Sequence, residues 1–138
     1  MKNLLFNTDF NATRWQWMIL IIRLSIASMM LVHGVSKLDK LFVDGPVQFG
    51  DPIGIGATAS LALVVFAEIV CSVLLGLGLA TRWACITMLV AVFITHAEHP
   101  FGKKEMGLMY LLFYMMLLVI GPGKYSLDAL ITKTVEDK

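Results

Sequence analysis

The chain has 138 residues, of which 58% are hydrophobic and 15% charged, with a mean hydropathy of +0.79. A soluble domain is about a quarter charged, so this composition indicates one integral membrane domain. A net charge of +1, with no basic cluster, excludes nucleic acid as a partner.

Residues 1–14 form a polar lead that contains Asp9 and Arg14. The lead is long, Arg23 breaks the apolar run behind it, and no small-x-small site follows, so the first span is expected to stay as an anchor. Four apolar runs predict membrane helices over residues 15–36, 57–79, 83–99 and 105–121, each near the ~20 residues needed to cross a bilayer. The expected class is all-α: an integral membrane four-helix bundle over residues 15–121, followed by a short amphipathic interfacial helix and tail over 122–138. The first connection, 39–56, is rich in Gly and Pro yet carries Phe42, Val47, Phe49, Ile53 and Ile55; it is expected to pack on the bundle or in the interface. The second, around 79–82, is tight enough to make spans two and three an antiparallel hairpin. Pro100 stops span three. After Gly121-Pro122-Gly123, Ser126 suits an N-cap and Asp128 the first turn. Leu127, Leu130 and Ile131 then fall on one side of a surface helix.

Two spans carry a single charge near their middle, Arg23 in the first and Glu68 in the second. Charge inside a membrane is costly, so such residues face protein and pair. Helix rise puts Arg23 about 12 Å and Glu68 about 16 Å above the terminal-side boundary. An intramembrane ion pair Arg23–Glu68 is therefore expected, either as structure or as a proton or ligand site. Arg23's face continues through Ala27, Met30 and Gly34 towards Lys37, and Glu68's through Cys71 and Ser72. In span three, Ala84, Thr87, Ala91, Thr95 and Glu98 form a small and hydroxyl stripe that permits close helix approach. Cys71 and Cys85 are expected about 9 Å apart in depth, too far for a disulfide, and read as inert core thiols. Tyr110 and Tyr114 read as packing residues.

Four spans place both termini on one face. That face carries Lys2, Arg14, Arg82, Lys124, Lys133 and Lys138, against Lys37, Lys40, Lys103 and Lys104 on the other. The bias favours cytoplasmic termini, and Trp15, Trp17 and Trp83 suit the aromatic belt of the same face. Span parity gathers His33, Lys37, His96, Glu98, His99 and Glu105 at the opposite mouth. His33, Lys37, His96 and Glu105 are the candidate ligand-binding residues, with a quinone-like molecule as the expected ligand. His96, Glu98 and His99 are the metal candidates, since imidazole and carboxylate suit Zn, Fe or Cu. No H-E-x-x-H motif or cysteine cluster accompanies them. His33 and His96 also offer a bis-histidine haem arrangement. No nucleophile triad, phosphate loop or dinucleotide fingerprint is present, and no catalytic residue is assigned.

The ordered set of motifs resembles the DoxX family of small four-span membrane proteins. The set is Arg23; His33-Gly34-x-x-Lys37-Leu38; Asp51-Pro52-Ile53-Gly54-Ile55-Gly56; Phe66-Ala67-Glu68; Gly78-Leu79-Ala80-Thr81-Arg82; His96; Lys103-Lys104-Glu105; and GPGKYSLDAL at 121–130. The resemblance implies an inner-membrane protein, and some relatives are linked to thiosulfate:quinone oxidoreductase and to complexes handling oxidative and thiol stress. The family's recurrent polar positions carry over to Arg23, His33, Lys37, Glu68, His96 and Glu105, without an established mechanism. The expected function is a membrane subunit or accessory of a quinone- or thiol-linked redox system, an oxidoreductase subunit without independent catalytic activity. A redox partner protein would then supply the electrons. The alternatives are a small-ligand-binding or transport protein gated by Arg23–Glu68, and a non-catalytic scaffold. Gly76-x-Gly78 and the span-three stripe could serve contacts within the chain or in a homo-oligomer.

Overall fold

The computed structural model describes residues 11–47, 49–51, 53–97 and 104–136. The described residues are all-α, as expected: α1 (Ala12–Leu41), α2 (Ala57–Leu77), α3 (Thr81–Ala97), α4 (Lys104–Ile120) and α5 (Leu127–Glu136), with no strand. The first two are long and apolar enough to cross a membrane. α3 and α4 have 17 residues each, about 26 Å of helix against a hydrocarbon core of ~30 Å. Neighbours in the chain pack together, and a sparse seam between α1 and α4 closes the ring.

α1 is longer than its apolar run at both ends. Asn11 caps it, its side-chain oxygen accepting from the N–H groups of Thr13 (3.1 Å) and Arg14 (3.2 Å). The helix then runs on through Lys37 to Leu41. Apolar content marks the stretch that sits in hydrocarbon, whereas backbone hydrogen bonding continues into the interface. The expected lead therefore loses Ala12, Thr13 and Arg14 to α1, and residues 1–10 lie outside the described residues.

The register of α1 on α2 follows from glycine. A Cβ on Gly34 would stand 2.9 Å from Ile69 Cγ1 and 3.2 Å from Glu68 Cβ, and one on Gly76 3.6 Å from Ala27 Cβ. Gly34 thus lies against the middle of α2. One on Gly78 would meet Arg23 Nη1 at 2.8 Å, so Arg23 lies level with the end of α2. The first turns of α1 project past α2 and are covered by residues 121–126. Gly123 packs on Ile19 and Gln16, Gln16 Oε1 accepts the Lys124 N–H at 2.6 Å, and the Tyr125 ring lies 4.9 Å from that of Trp17.

α2 ends at left-handed Gly78 (φ 69°). The Leu79 N–H reaches Leu74 O at 2.9 Å and the Gly78 N–H reaches Leu75 O at 3.1 Å, the Schellman closure that only a residue free of Cβ adopts without strain. α3 begins three residues later, as the tight hairpin required. Because α2 stops and α3 starts two residues earlier than expected, Cys71 and Cys85 differ in depth by about 3 Å, not 9. Both are free and buried.

In the 42–56 connection Val47 and Phe49 are half-buried, whereas Phe42 (80% exposed), Val43 (66%), Ile53 and Ile55 face away from the bundle. Asp51 ties the connection to α2, its carboxylate accepting from Ile55 N (3.0 Å), Gly56 N (2.8 Å) and Ser60 Oγ (2.9 Å).

Candidate functional site

Arg23 does not pair with Glu68. Ten residues of α2 separate Glu68 from the level of Arg23, about 15 Å of helix. The expected pair rested on depths counted from the ends of the apolar runs, and the packed register shifts one run against the other. The buried Arg23 guanidinium donates to the carbonyl oxygens of Pro122 and, at 2.6 Å, of Tyr125. Those carbonyls belong to the segment between α4 and α5. Asp128 completes this junction: its carboxylate accepts from Ala80 N (2.7 Å) and Thr81 N (2.9 Å), and its own N–H donates to Gly78 O (2.9 Å). Ser126 caps α5 as expected, accepting from Ala129 N at 3.1 Å. Two of the family-like motifs, 78–82 and 121–130, thus meet as a structural junction at the terminal end of the bundle.

Glu68 pairs with Lys37 instead. Glu68 Oε1 lies 2.5 Å from Lys37 Nζ, the two side chains being 2% and 25% exposed. Gly34 makes this possible, since a larger residue would push α1 off Glu68. The long lysine stem lets the ammonium reach inward from a helix edge. Around the pair, four buried oxygens find no hydrogen-bond partner among the described residues: Glu68 Oε2, Ser72 Oγ, Tyr110 OH and Tyr114 OH. Ser72 lies one turn from Glu68 on the same face of α2. Tyr110 and Tyr114, one turn apart on α4, stack with ring centres 6.5 Å apart, and both lie within electrostatic reach of Glu68. His33, exposed on α1, meets Tyr110 edge-on at 6.0 Å. A cluster of polar groups from α1, α2 and α4 therefore sits behind the sparse α1–α4 seam, with His33 at its edge.

Of the expected ligand residues, the structure brings His33 and Lys37 to this cluster. Glu105 is exposed in the first turn of α4, more than a turn from Tyr110. His96 lies in the last turn of α3, but its side chain is outside the described residues, as are Glu98 and His99 altogether. The metal candidates and the histidine pair proposed for haem therefore fall on that boundary. Among the described residues no group of three His, Cys, Asp or Glu could hold a metal. Sequence reasoning missed Tyr110 and Tyr114 as polar members of the site. Their spacing of four on an otherwise apolar helix was the available signal.

A family model described as DoxX matches residues 18–97. The chain is 34% identical to an uncharacterized membrane protein of Mycobacterium tuberculosis, over 83% of this chain and 82% of that one. It is 30% identical to an uncharacterized protein of Haemophilus influenzae, over 78% of this chain and 85% of that one. No solved structure matches it.

Proposed function

The chain belongs to the DoxX family of membrane proteins, and we propose from that premise that it is a membrane subunit of a redox system. In this reading it binds a quinone-like carrier that enters from lipid through the α1–α4 seam. The observation that carries the reading is the buried Lys37–Glu68 pair with unpartnered oxygens beside it. A quinone head group offers carbonyl oxygens, and Lys37, Tyr110 and His33 offer donors at the seam. Beside His33, Leu31, Val32 and Val35 wall a shallow apolar groove on the outer face of α1, suited to an isoprenoid tail. His96 and Glu105 stand at the same mouth by helix polarity and would line the approach. Electrons would come from a partner protein, because the Lys37–Glu68 pocket offers hydrogen bonds and a proton site but no electron carrier.

In this reading the protein lies in the inner membrane, as the family resemblance implies, and the Lys/Arg bias of the loops supports cytoplasmic termini. A gate built from Arg23 and Glu68 loses its basis, since the two are not in contact. A scaffold role draws support from the Arg23–Asp128 junction, which holds backbone rather than ligand. Calorimetric titration of the purified protein in lipid nanodiscs with a short-chain quinone tests the proposal. Saturable binding is expected, weakened at least about tenfold, or ~1.4 kcal/mol, in His33→Ala and Glu68→Gln. Unchanged affinity in folded forms of both variants would remove this pocket as the site.

A further inference from the structure

We propose that Glu68 is a proton-exchange site inside the bundle, served through Lys37 from the His33 end and closed towards the terminal end. The inference shares the pocket proposed for the carrier, and rests on that reading only for what finally takes the proton.

Four observations support it. Glu68 is 2% exposed, with one oxygen engaged by Lys37 and the other without a partner among the described residues. The Lys37 side chain is a quarter exposed, so it runs from the protein edge to the buried carboxylate. Ser72, Tyr110 and Tyr114, each at most 7% exposed, carry unpartnered hydroxyls on the two helices that face the pair. Buried polar groups are rarely left unbonded, and several together mark a place where water binds. Towards the terminal end the core becomes apolar, with Leu75, Met88 and Leu117 fully buried, and the Arg23 junction lies beyond.

The step is a simple transfer. An N–H bond of the Lys37 ammonium breaks as an O–H bond forms on Glu68, giving amine and carboxylic acid with the charge of the pair unchanged at zero. A hydronium ion at the interface then gives up a proton to restore the ammonium and becomes water, leaving the pair with one net positive charge and Glu68 loaded. The low-dielectric surroundings favour the first transfer, because an ion pair loses more hydration than a neutral one; the second is driven by proton uptake as pH falls. Among the described residues, the titratable groups around Glu68 are His33 and Lys37 on α1, Cys71 on α2, Cys85 on α3, and Tyr110 and Tyr114 on α4. Glu105 stands exposed at the start of α4, and Arg23 lies at the far end.

Infrared difference spectroscopy on the full chain in bilayers, titrated in H2O and then mixed with D2O, reads the site without any quinone. The expected result is a carboxylic acid band that grows as pH falls, shifts in D2O, and is missing in Glu68→Gln. Lys37→Arg keeps the charge partner but not the transferable proton, since guanidinium does not deprotonate, and should slow the D2O shift at least about tenfold. Lys37→Met should slow it likewise. Absence of a Glu68-dependent band in the folded protein overturns the proposal. So does a wild-type exchange rate in Lys37→Arg. Quinone binding plays no part in these readouts, so the carrier reading and the proton reading fail separately.

Discussion

Glu68 remains a tolerable residue in the middle of α2 because Lys37 reaches it and Gly34 lets it. Removing one partner leaves a charge in a low-dielectric interior, whereas removing both leaves only a packing problem. Lys37→Met or Glu68→Leu alone should therefore cost about 3 kcal/mol, and the double substitution clearly less than either. Reversible unfolding in mixed micelles measures this, and additive losses would dissolve the pair as a unit. Gly34 separates two effects of similar size. Gly34→Ala gains ~1 kcal/mol in helix propensity and loses a comparable amount to the approach of Ile69 and Glu68, so it should be near neutral. Gly34→Leu has no such offset and should cost up to about 3 kcal/mol by overpacking, read in the same assay.

At the scale of elements, two helices begin on carboxylates that are not their own N-caps. α3 starts after Ala80, whose side chain accepts nothing, and Asp128 accepts the N–H groups of Ala80 and Thr81 in its place. Asp128→Ala should cost about 1–2 kcal/mol. Hydrogen exchange of the first-turn amides of α3 should accelerate while the centre of α2 stays protected; protection unchanged at both places would refute the cap. Asp51 holds the start of α2 differently, accepting the Ile55 and Gly56 N–H groups just ahead of the helix and the Ser60 hydroxyl within it. The Gly56 N–H, with help from Ser60, Ile55 and Gly54, holds its carboxyl below the usual range, against a smaller desolvation effect. A carboxyl depressed in the fold contributes stability above its unfolded value, and that contribution is lost as pH falls through the folded one. The thermal midpoint should thus decline as pH drops below about 4. Asp51→Asn should start lower and show less of that decline, and an identical slope in both proteins would count against the role.

The whole molecule has unlike ends. At the terminal end, Arg23 and Asp128 bind the chain's last segment to the α2–α3 turn. At the other end, Lys37, Glu68 and the tyrosines leave polar groups open to further partners. α5 buries none of its residues in the bundle, and Leu130, Ile131 and Val135 face outward on one side. Trp17, Trp83 and Tyr125 are exposed at the same end, which suits a helix lying in the headgroup region. If both termini are cytoplasmic, a cysteine introduced at Asp44 should react with an impermeant maleimide from outside intact cells. One introduced at Lys133 should react only after the membrane is opened. The reverse pattern would invert the orientation.

Composition and periodicity by themselves determined an all-helical membrane chain, the rough positions of its apolar helices, the tight hairpin and the Ser126 cap. They also marked most of the inward faces: Arg23, Ala27, Met30, Gly34, Glu68, Cys71 and Ser72 are buried, as are Ala84, Ala91 and Thr95 on α3, but Thr87 of that stripe faces outward and bonds the Trp83 carbonyl. A helical repeat encodes which side of a helix turns inward. It says nothing of how far one helix slides along another, and one turn of slip moves a side chain by about 5.4 Å. That slip was decided by Gly34 seating against α2 and by residues 121–126 covering the overhang of α1 from about a hundred positions away. The same tertiary packing gave Glu68 to Lys37 and gave Arg23 to two backbone carbonyls. It also brought Tyr110 and Tyr114 within reach of a carboxylate that their own sequence neighbourhood does not contain.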